Sequence, residues 1–498
     1  MSSCKKHCLG YADSRVDGVK FSEECGVFGG VCTKYNVAPF IQQGLFMLQH
    51  RGQESAGLCC GDKDLFIYKN KGLVMEVLSD RNIKNIKGRA GIGHVRYSTQ
   101  GGSDTLHAQP HVITYLGEKV GVAHNGNVDA AVKMKEYFEQ LGEVFLTTSD
   151  TEMILKKVVR ELCKPPIQWT FEEIGKVLTK SFLGGAWSIL FCVPGKVFAF
   201  RDPLGYRPLS FCEAEEGYFV SSEDTSFQLL DKKKVIHLEP GEGVEITREG
   251  YEIKRFAPEM PSKMCVFEHI YFARPDSNIF GRNVYTSRVE IGKKCAIENP
   301  VDADIVVPVM DSGFASAIGY SQQSGIPLQM GLMRNRWVGR TFILPEQQMR
   351  RNSVIRKLTP IKEVLNGKRV VIMDDSIVRG TTCREIVKMI RDAGAKEVHF
   401  RSASPMLVNT CQWGVDIPSS KELIANVHKN IDGIRDFIGA DSLAYLSIEG
   451  LKEIFGWDNW CYSCLTPASI EKSNDKKKEA EIAEYCASLC GACYSGEE

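Results

Sequence analysis

Of all stretches in the chain, Val370-Val-Ile-Met-Asp-Asp-Ser-Ile-Val-Arg-Gly-Thr-Thr382 most restricts the fold. The run Arg369 to Met373 reads as the β-branched, apolar stretch of a buried parallel strand, and Arg384 to Ala393 carries apolar residues at helical spacing. The loop between them therefore opens a helix, where unpaired N–H groups and a positive dipole end favour an anion. Ser376, Gly380, Thr381 and Thr382 supply amides and hydroxyls for a phosphate. Asp374 and Asp375 would repel one, and so suit ribose hydroxyls or a hard cation such as Mg2+. The spaced Gly-Lys-Ser/Thr of a triphosphate loop is missing. The segment reads as a site for a phosphorylated sugar.

At 498 residues the chain is too long for one core; roughly 100 to 200 residues per domain predicts two or three domains. Its 62 Lys and Arg balance 62 Asp and Glu, which gives no overall pull toward nucleic acid or an anionic membrane. The first 24 residues are polar and charged, and no run of eighteen apolar residues follows, so neither secretion nor a membrane span is expected. The expected location is the cytoplasm. The 18 cysteines are scattered, which in a reducing compartment means mostly buried thiols, with a few spent on chemistry or metal.

Residues 1–24 read as a leader, and residues 25–255 contain short β-like runs separated by Gly-rich turns, the pattern of packed antiparallel sheets. Over residues 256–466 strands alternate with helices: Ala303 to Pro308, Phe314 to Ser324, Arg369 to Ala393 and Glu397 to Ser404. That predicts a doubly wound parallel sheet. Residues 467–498 form a charged tail containing Cys486, Cys490 and Cys493.

Asp374 to Thr382 resembles the phosphoribosyl pyrophosphate (PRPP) motif of type I phosphoribosyltransferases, in the version carried by the glutamine PRPP amidotransferase family, of which the cysteines below suggest the iron-sulfur type. The amino-terminal half resembles the same family. Ser22-Glu-Glu-Cys-Gly-Val-Phe-Gly29, Leu48 to Gly57, Gly93-His-Val-Arg-Tyr-Ser-Thr99, His124-Asn-Gly-Asn127 and Thr148-Ser-Asp-Thr151 occur in the order of its N-terminal-nucleophile glutaminase domain. The resemblance implies a four-layer αββα glutaminase domain followed by the phosphoribosyltransferase domain. It further implies an amidophosphoribosyltransferase, a pentosyl-transferring enzyme that hydrolyses glutamine and passes ammonia to Mg-PRPP. The products would be 5-phosphoribosylamine, glutamate and pyrophosphate, at the first step of purine synthesis.

Carried over residue by residue, the resemblance makes Cys25 the nucleophile, with Asn125 and the Gly126 N–H as oxyanion donors. Removal of the leader would free the Cys25 α-amino group as base, with a pKa of about 8. Arg51, Arg96 and Asp150 would hold glutamine, Arg96 forking the α-carboxylate and Asp150 accepting from the α-ammonium. His94, His107 and His124 are read as core or hydrogen-bonding histidines. Asp374, Asp375, Ser376, Arg379, Gly380, Thr381 and Thr382 would bind PRPP, joined by Arg340 from a basic mobile loop hinged near Gly339. Ser312 of Met310-Asp-Ser-Gly313, with Asp374 and Asp375, would hold Mg2+.

Cys265, Cys411 and the pair Cys461-Tyr-Ser-Cys464 match the family's ligands to a [4Fe-4S] cluster. By softness alone four thiolates suit zinc equally well, and the resemblance decides for iron-sulfur. The spacing of Cys486, Cys490 and Cys493 also suits a metal. Feedback by purine nucleotides and a homotetramer are further implications. A glucosamine-phosphate synthase would lack Asp374 and Asp375, and a silent nucleotide-binding homologue would not need Cys25, Arg96, Asn125 and Asp150 intact.

Overall fold

The computed structural model describes residues 23–98, 105–128, 130–335, 358–415, 417 and 419–467. The leader before Glu23, the basic loop with Gly339 and Arg340, and the tail cysteines Cys486, Cys490 and Cys493 lie outside them. Two compact units are present. The first ends at Met264 and also takes in the segment that begins at Cys411; the second runs from Cys265 to Thr410 and resumes at Ile417.

The first unit is built on two antiparallel sheets, of seven and six strands. The strand Glu23–Cys32, which carries Cys25, lies inside the seven-stranded sheet between Gly217–Ser221 and Ala90–Ser98. Alternate side chains of a strand point to opposite faces, so this strand feeds two cores. Val27 and Val31 join Ala90, Ile92, Leu190 and Val197 between the sheets. Phe28 and Cys32 point the other way and meet Ile41 and Leu45 of the helix Ala38–Met47. On the far side, the helices Asp150–Leu162 and Phe171–Phe182 pack Ile154, Val158, Ile174 and Leu178 onto the outer face of the six-stranded sheet. The layers run helix, sheet, sheet, helix.

The second unit carries a four-stranded sheet, Ile305–Pro308, Arg369–Asp374, Glu397–Ser402 and Ser442–Tyr445 in spatial order, and all neighbours are parallel. Val370 and Ile372 share a core with Ile386, Val387 and Ile390 of the helix Thr381–Asp392. The helix Phe314–Ser324 packs on the first two strands and is backed by Val284–Glu298. Those two helices cross at backbone distance, since a Cβ on Gly292 would sit 1.9 Å from the Ser316 carbonyl oxygen and one on Gly319 2.0 Å from that of Val289. The architecture is a four-layer αββα unit followed by a unit built on a parallel sheet with packed helices, as the resemblance implies.

Candidate functional site

In the first unit Cys25 pairs across the ladder with Arg96, and Arg96 pairs in turn with Ser55 of the strand Ser55–Cys60. Directly opposed residues share a face, and Val27 shows which face it is: the one toward the second sheet. Asn125, on the strand Glu118–Asn127, is two residues from Ala123 of that same core and so looks back toward Cys25's sheet. A buried hydroxyl ties the two strands. Ser222 Oγ accepts from the Val27 N–H at 3.0 Å and lies 3.4 Å from Asn125 Nδ2. The second contact is at the long end for a hydrogen bond, so this donor remains available to a developing oxyanion. Gly126 follows with φ +144°, and a Cβ there would sit 1.9 Å from the Ala186 carbonyl oxygen, so no other residue fits.

Arg51 is held from two sides. Its Nε donates to the Cys25 carbonyl oxygen at 3.0 Å, and Nη1 donates to Glu223 Oε1 at 2.6 Å. His50 Nε2 reaches the same carboxylate oxygen at 2.7 Å. Glu223 is 0 % exposed and Arg51 3 %, so this ion pair lies in low dielectric where removing one partner is expensive. Glu223→Ala should destabilise the chain by about 3–5 kcal/mol, read as a lower denaturant midpoint. A midpoint equal to wild type would show that Glu223 does not hold Arg51.

Asp150 stands in the first turn of its helix, just after the N-cap Ser149, whose side chain accepts from the Thr151 N–H. It is buried, and its Oδ2 accepts from the Val128 N–H at 3.2 Å while Oδ1 lies 3.3 Å from His124 Nδ1. The His124 backbone is pinned as well, its N–H on Gln109 Oε1 and its carbonyl on His94 Nε2. Burial holds the His94 ring far below the ordinary histidine pKa, at about 3, and it therefore serves as a neutral prop. His107 Nε2 lies 3.1 Å from Thr148 Oγ1.

In the second unit Asp374 ends its strand opposite Ser402, and the chain turns through Asp375 to Gly380, the N-cap of Thr381–Asp392, at φ +70°. Asp374 Oδ1 accepts from the Asp375 N–H at 2.9 Å, and Ser376 Oγ donates to Asp375 Oδ2 at 2.7 Å. Burial first, and the neighbouring Asp375 charge second, push the Asp374 carboxyl well above the usual carboxylate range. Two adjacent buried carboxylates call for a cation or for donors such as a diol. The Met310-Asp-Ser-Gly313 loop lies against them: a Cβ on Gly313 would sit 2.3 Å from the Met373 carbonyl oxygen and 3.1 Å from the Asp374 Cα. Ser312 is half-buried in that loop, and Thr381 and Thr382 are exposed at the helix start. Arg379 turns to Glu422, at 3.0 Å from Nε and 2.8 Å from Nη2.

Of the proposed cluster cysteines, Cys265 and Cys461 lie on short strands that pair with each other. Cys464 is buried, and its carbonyl oxygen accepts from the Val408 and Asn409 N–H groups at 3.0 and 3.2 Å. Cys411 is buried and belongs to the first unit. Among the described residues no group of three or more His, Cys, Asp or Glu is assembled around a metal position. No helix among them is long and apolar enough to cross a membrane.

Sequence reasoning missed Ser222 and Glu223. The signal was the polar triplet Ser221-Ser222-Glu223 at the end of a strand, all of it buried. His124, read as a core or hydrogen-bonding histidine, is buried with Nδ1 3.3 Å from Asp150 Oδ1.

Known proteins match this chain along most of its length. A glutamine amidotransferase domain family matches residues 94–228. The amidophosphoribosyltransferase of Methanocaldococcus jannaschii is 44% identical over 460 residues, covering 89% of this chain and 96% of the relative. That of Bacillus subtilis is 42% identical over 450 residues, covering 89% and 93%. The structure of the B. subtilis glutamine PRPP amidotransferase complexed with ADP and GMP superposes with a TM-score of 0.80 at 39% identity, over 89% of this chain and 96% of that one. A structure described as the allosteric regulatory enzyme of purine biosynthesis gives 0.81 at 40% identity, over 89% and 95%. By identity and coverage on both sides, the chain belongs to the amidophosphoribosyltransferase family.

Proposed function

We propose that the chain carries out its reaction at two sites, with Cys25 releasing ammonia from glutamine and the Asp374–Thr382 loop presenting PRPP to it. As a member of its family the chain is a glutamine-dependent amidophosphoribosyltransferase acting at the first step of purine biosynthesis. The observation that supports this assignment of roles is the Ser222 hydroxyl. It joins the strand of the nucleophile to the oxyanion donor, so thiol and donor are held in one frame.

In this reading residues 25–255 form the glutaminase domain and residues 256–466 the phosphoribosyltransferase domain. The leader is removed and the Cys25 α-amino group takes the thiol proton. The Cys25 sulfur attacks the side-chain amide carbon of glutamine, and the oxyanion forms against Asn125 Nδ2 and the Gly126 N–H. The protonated α-amino group returns its proton to the amide nitrogen, so that collapse expels ammonia and leaves a thioester, which water hydrolyses to glutamate while the thiol is restored. Arg96 and Asp150 clamp the α-carboxylate and α-ammonium of glutamine, and Arg51 fixes the Cys25 backbone. Asn125→Ala should lower glutamine-dependent kcat by about 10²–10³-fold with KM little changed, measured by glutamate release.

At the second site ammonia attacks the anomeric carbon of PRPP and pyrophosphate leaves. Asp374 and Asp375 face the ribose diol, and Ser376, Gly380, Thr381 and Thr382 take the 5-phosphate. Arg379 and Arg340 complete the cationic side; for Arg379 this requires release from Glu422. Asp374, Asp375 and Ser312 would hold Mg2+, whose charge would offset that of the departing pyrophosphate; the buried paired carboxylates fit a hard cation. A [4Fe-4S] cluster on Cys265, Cys411, Cys461 and Cys464 would be structural. The pairing of the Cys265 and Cys461 strands supports two of its ligands, and the sequence motif alone supports Cys411. We include inhibition by purine nucleotides, a homotetramer and a cytoplasmic location in the same reading.

The test is product formation. Glutamine and Mg-PRPP should yield glutamate and pyrophosphate in equal amounts, and ammonia should replace glutamine. A wild-type protein that makes phosphoribosylamine from neither source overturns the reading. A purified chain still beginning at Met1 and active with glutamine would overturn the α-amino base, and one without iron and sulfide would remove the cluster.

A further inference from the structure

We propose that Trp413 and Gly414 position the Gly126 peptide of the glutaminase site, a role that rests on the functional reading above. These residues stand 285 or more positions beyond Asn127, yet they belong to the first unit. Three contacts seat the segment. Asn127 Nδ2 donates to the Gln412 carbonyl oxygen at 2.7 Å, Arg207 Nη2 donates to the Trp413 carbonyl oxygen at 2.6 Å, and the Trp413 ring stacks on Tyr206 with centroids 4.6 Å apart and planes at 19°. The receiving loop is itself fixed, because buried Asp202 accepts from the Tyr206 and Arg207 N–H groups at 3.1 and 3.2 Å.

The consequence falls on the oxyanion donor. On one side Gly126 is pressed against the Ala186–Trp187 backbone, where a Cβ would find the Ala186 oxygen at 1.9 Å. On the other side Gly414, at φ +94°, comes so close that its own Cβ would lie 3.0 Å from the Gly126 carbonyl carbon and 3.2 Å from the Asn127 nitrogen. The peptide that follows the oxyanion glycine is thus held between a strand and a distant glycine. Stacking of Trp413 on Tyr206 keeps that glycine in place. An oxyanion donor displaced by about 1 Å costs on the order of 10²-fold in rate, so the stack acts on the chemistry without touching substrate.

Trp413→Ala should lower glutamine-dependent kcat about 10- to 100-fold with the KM for glutamine changed less than about threefold, while ammonia-dependent synthesis stays within about twofold of wild type. Trp413→Phe, which keeps a stacking ring, should recover most of the loss. Gly414→Ala, which adds a methyl against the Gly126 peptide, should reproduce it. The proposal is overturned if W413A keeps its glutamine-dependent kcat, or if both nitrogen sources lose activity equally, which would mark a general packing role. A wild type inactive with both sources overturns the functional reading instead, and removes the ground for this one.

Discussion

Cys25→Ala is expected to lower glutamine-dependent formation of phosphoribosylamine by about 10⁴-fold or more, while ammonia-dependent formation stays within about twofold of wild type. In the proposed reading the sulfur is the atom that bonds to the amide carbon of glutamine, and without it no thioester forms. Asn125 and Gly126 would still stabilise charge, but on a species that alanine cannot make. Cys25 is buried in a strand paired over nine positions with Ala90–Ser98, so alanine removes little more than the sulfur and the fold persists. Pyrophosphate release from Mg-PRPP with each nitrogen source is the measurement. Equal loss with both would place Cys25 in the fold rather than in the chemistry, and retained glutamine activity would move the nucleophile elsewhere.

Asp374→Asn should have the opposite selectivity, abolishing synthesis from glutamine and from ammonia alike by about 10³-fold. In the proposed reading one change removes a ligand for cation and diol at the point where the nitrogen is accepted. The second half of the expectation concerns stability. In the folded chain the Asp374 carboxylate is disfavoured by burial and by Asp375, so a neutral amide of the same shape relieves both, and Oδ1 can still accept from the Asp375 N–H. The melting temperature should be unchanged or higher. Loss of activity together with a raised melting temperature separates a site residue from a structural one; loss of both would place Asp374 in the structure.

Much of this was legible in the order of residues. The apolar run before Asp374 and the helical spacing after Gly380 do form a parallel strand and a helix, and Gly380 takes the positive φ that the turn needs. The five glutaminase motifs, through their resemblance to the family, pointed to Cys25, Arg96, Asn125, Gly126 and Asp150 as candidates, and the fold sets Cys25 opposite Arg96. The partners that hold them were not legible. Ser222 lies 97 residues from Asn125, Glu223 lies 172 from Arg51, and Glu422 is the partner of Arg379 at a distance of 43. Trp413, two residues after Cys411, stands on Tyr206 more than 200 positions away.

The sequence by itself determined which elements form and which side chains the proposed chemistry draws on, because apolar periodicity, turn glycines and paired acids act over a few residues. Only the tertiary structure decided what each is held by. A buried polar group must find a partner wherever the fold brings one, and no local pattern states that Ser222 meets Asn125 or that Gly414 meets Gly126.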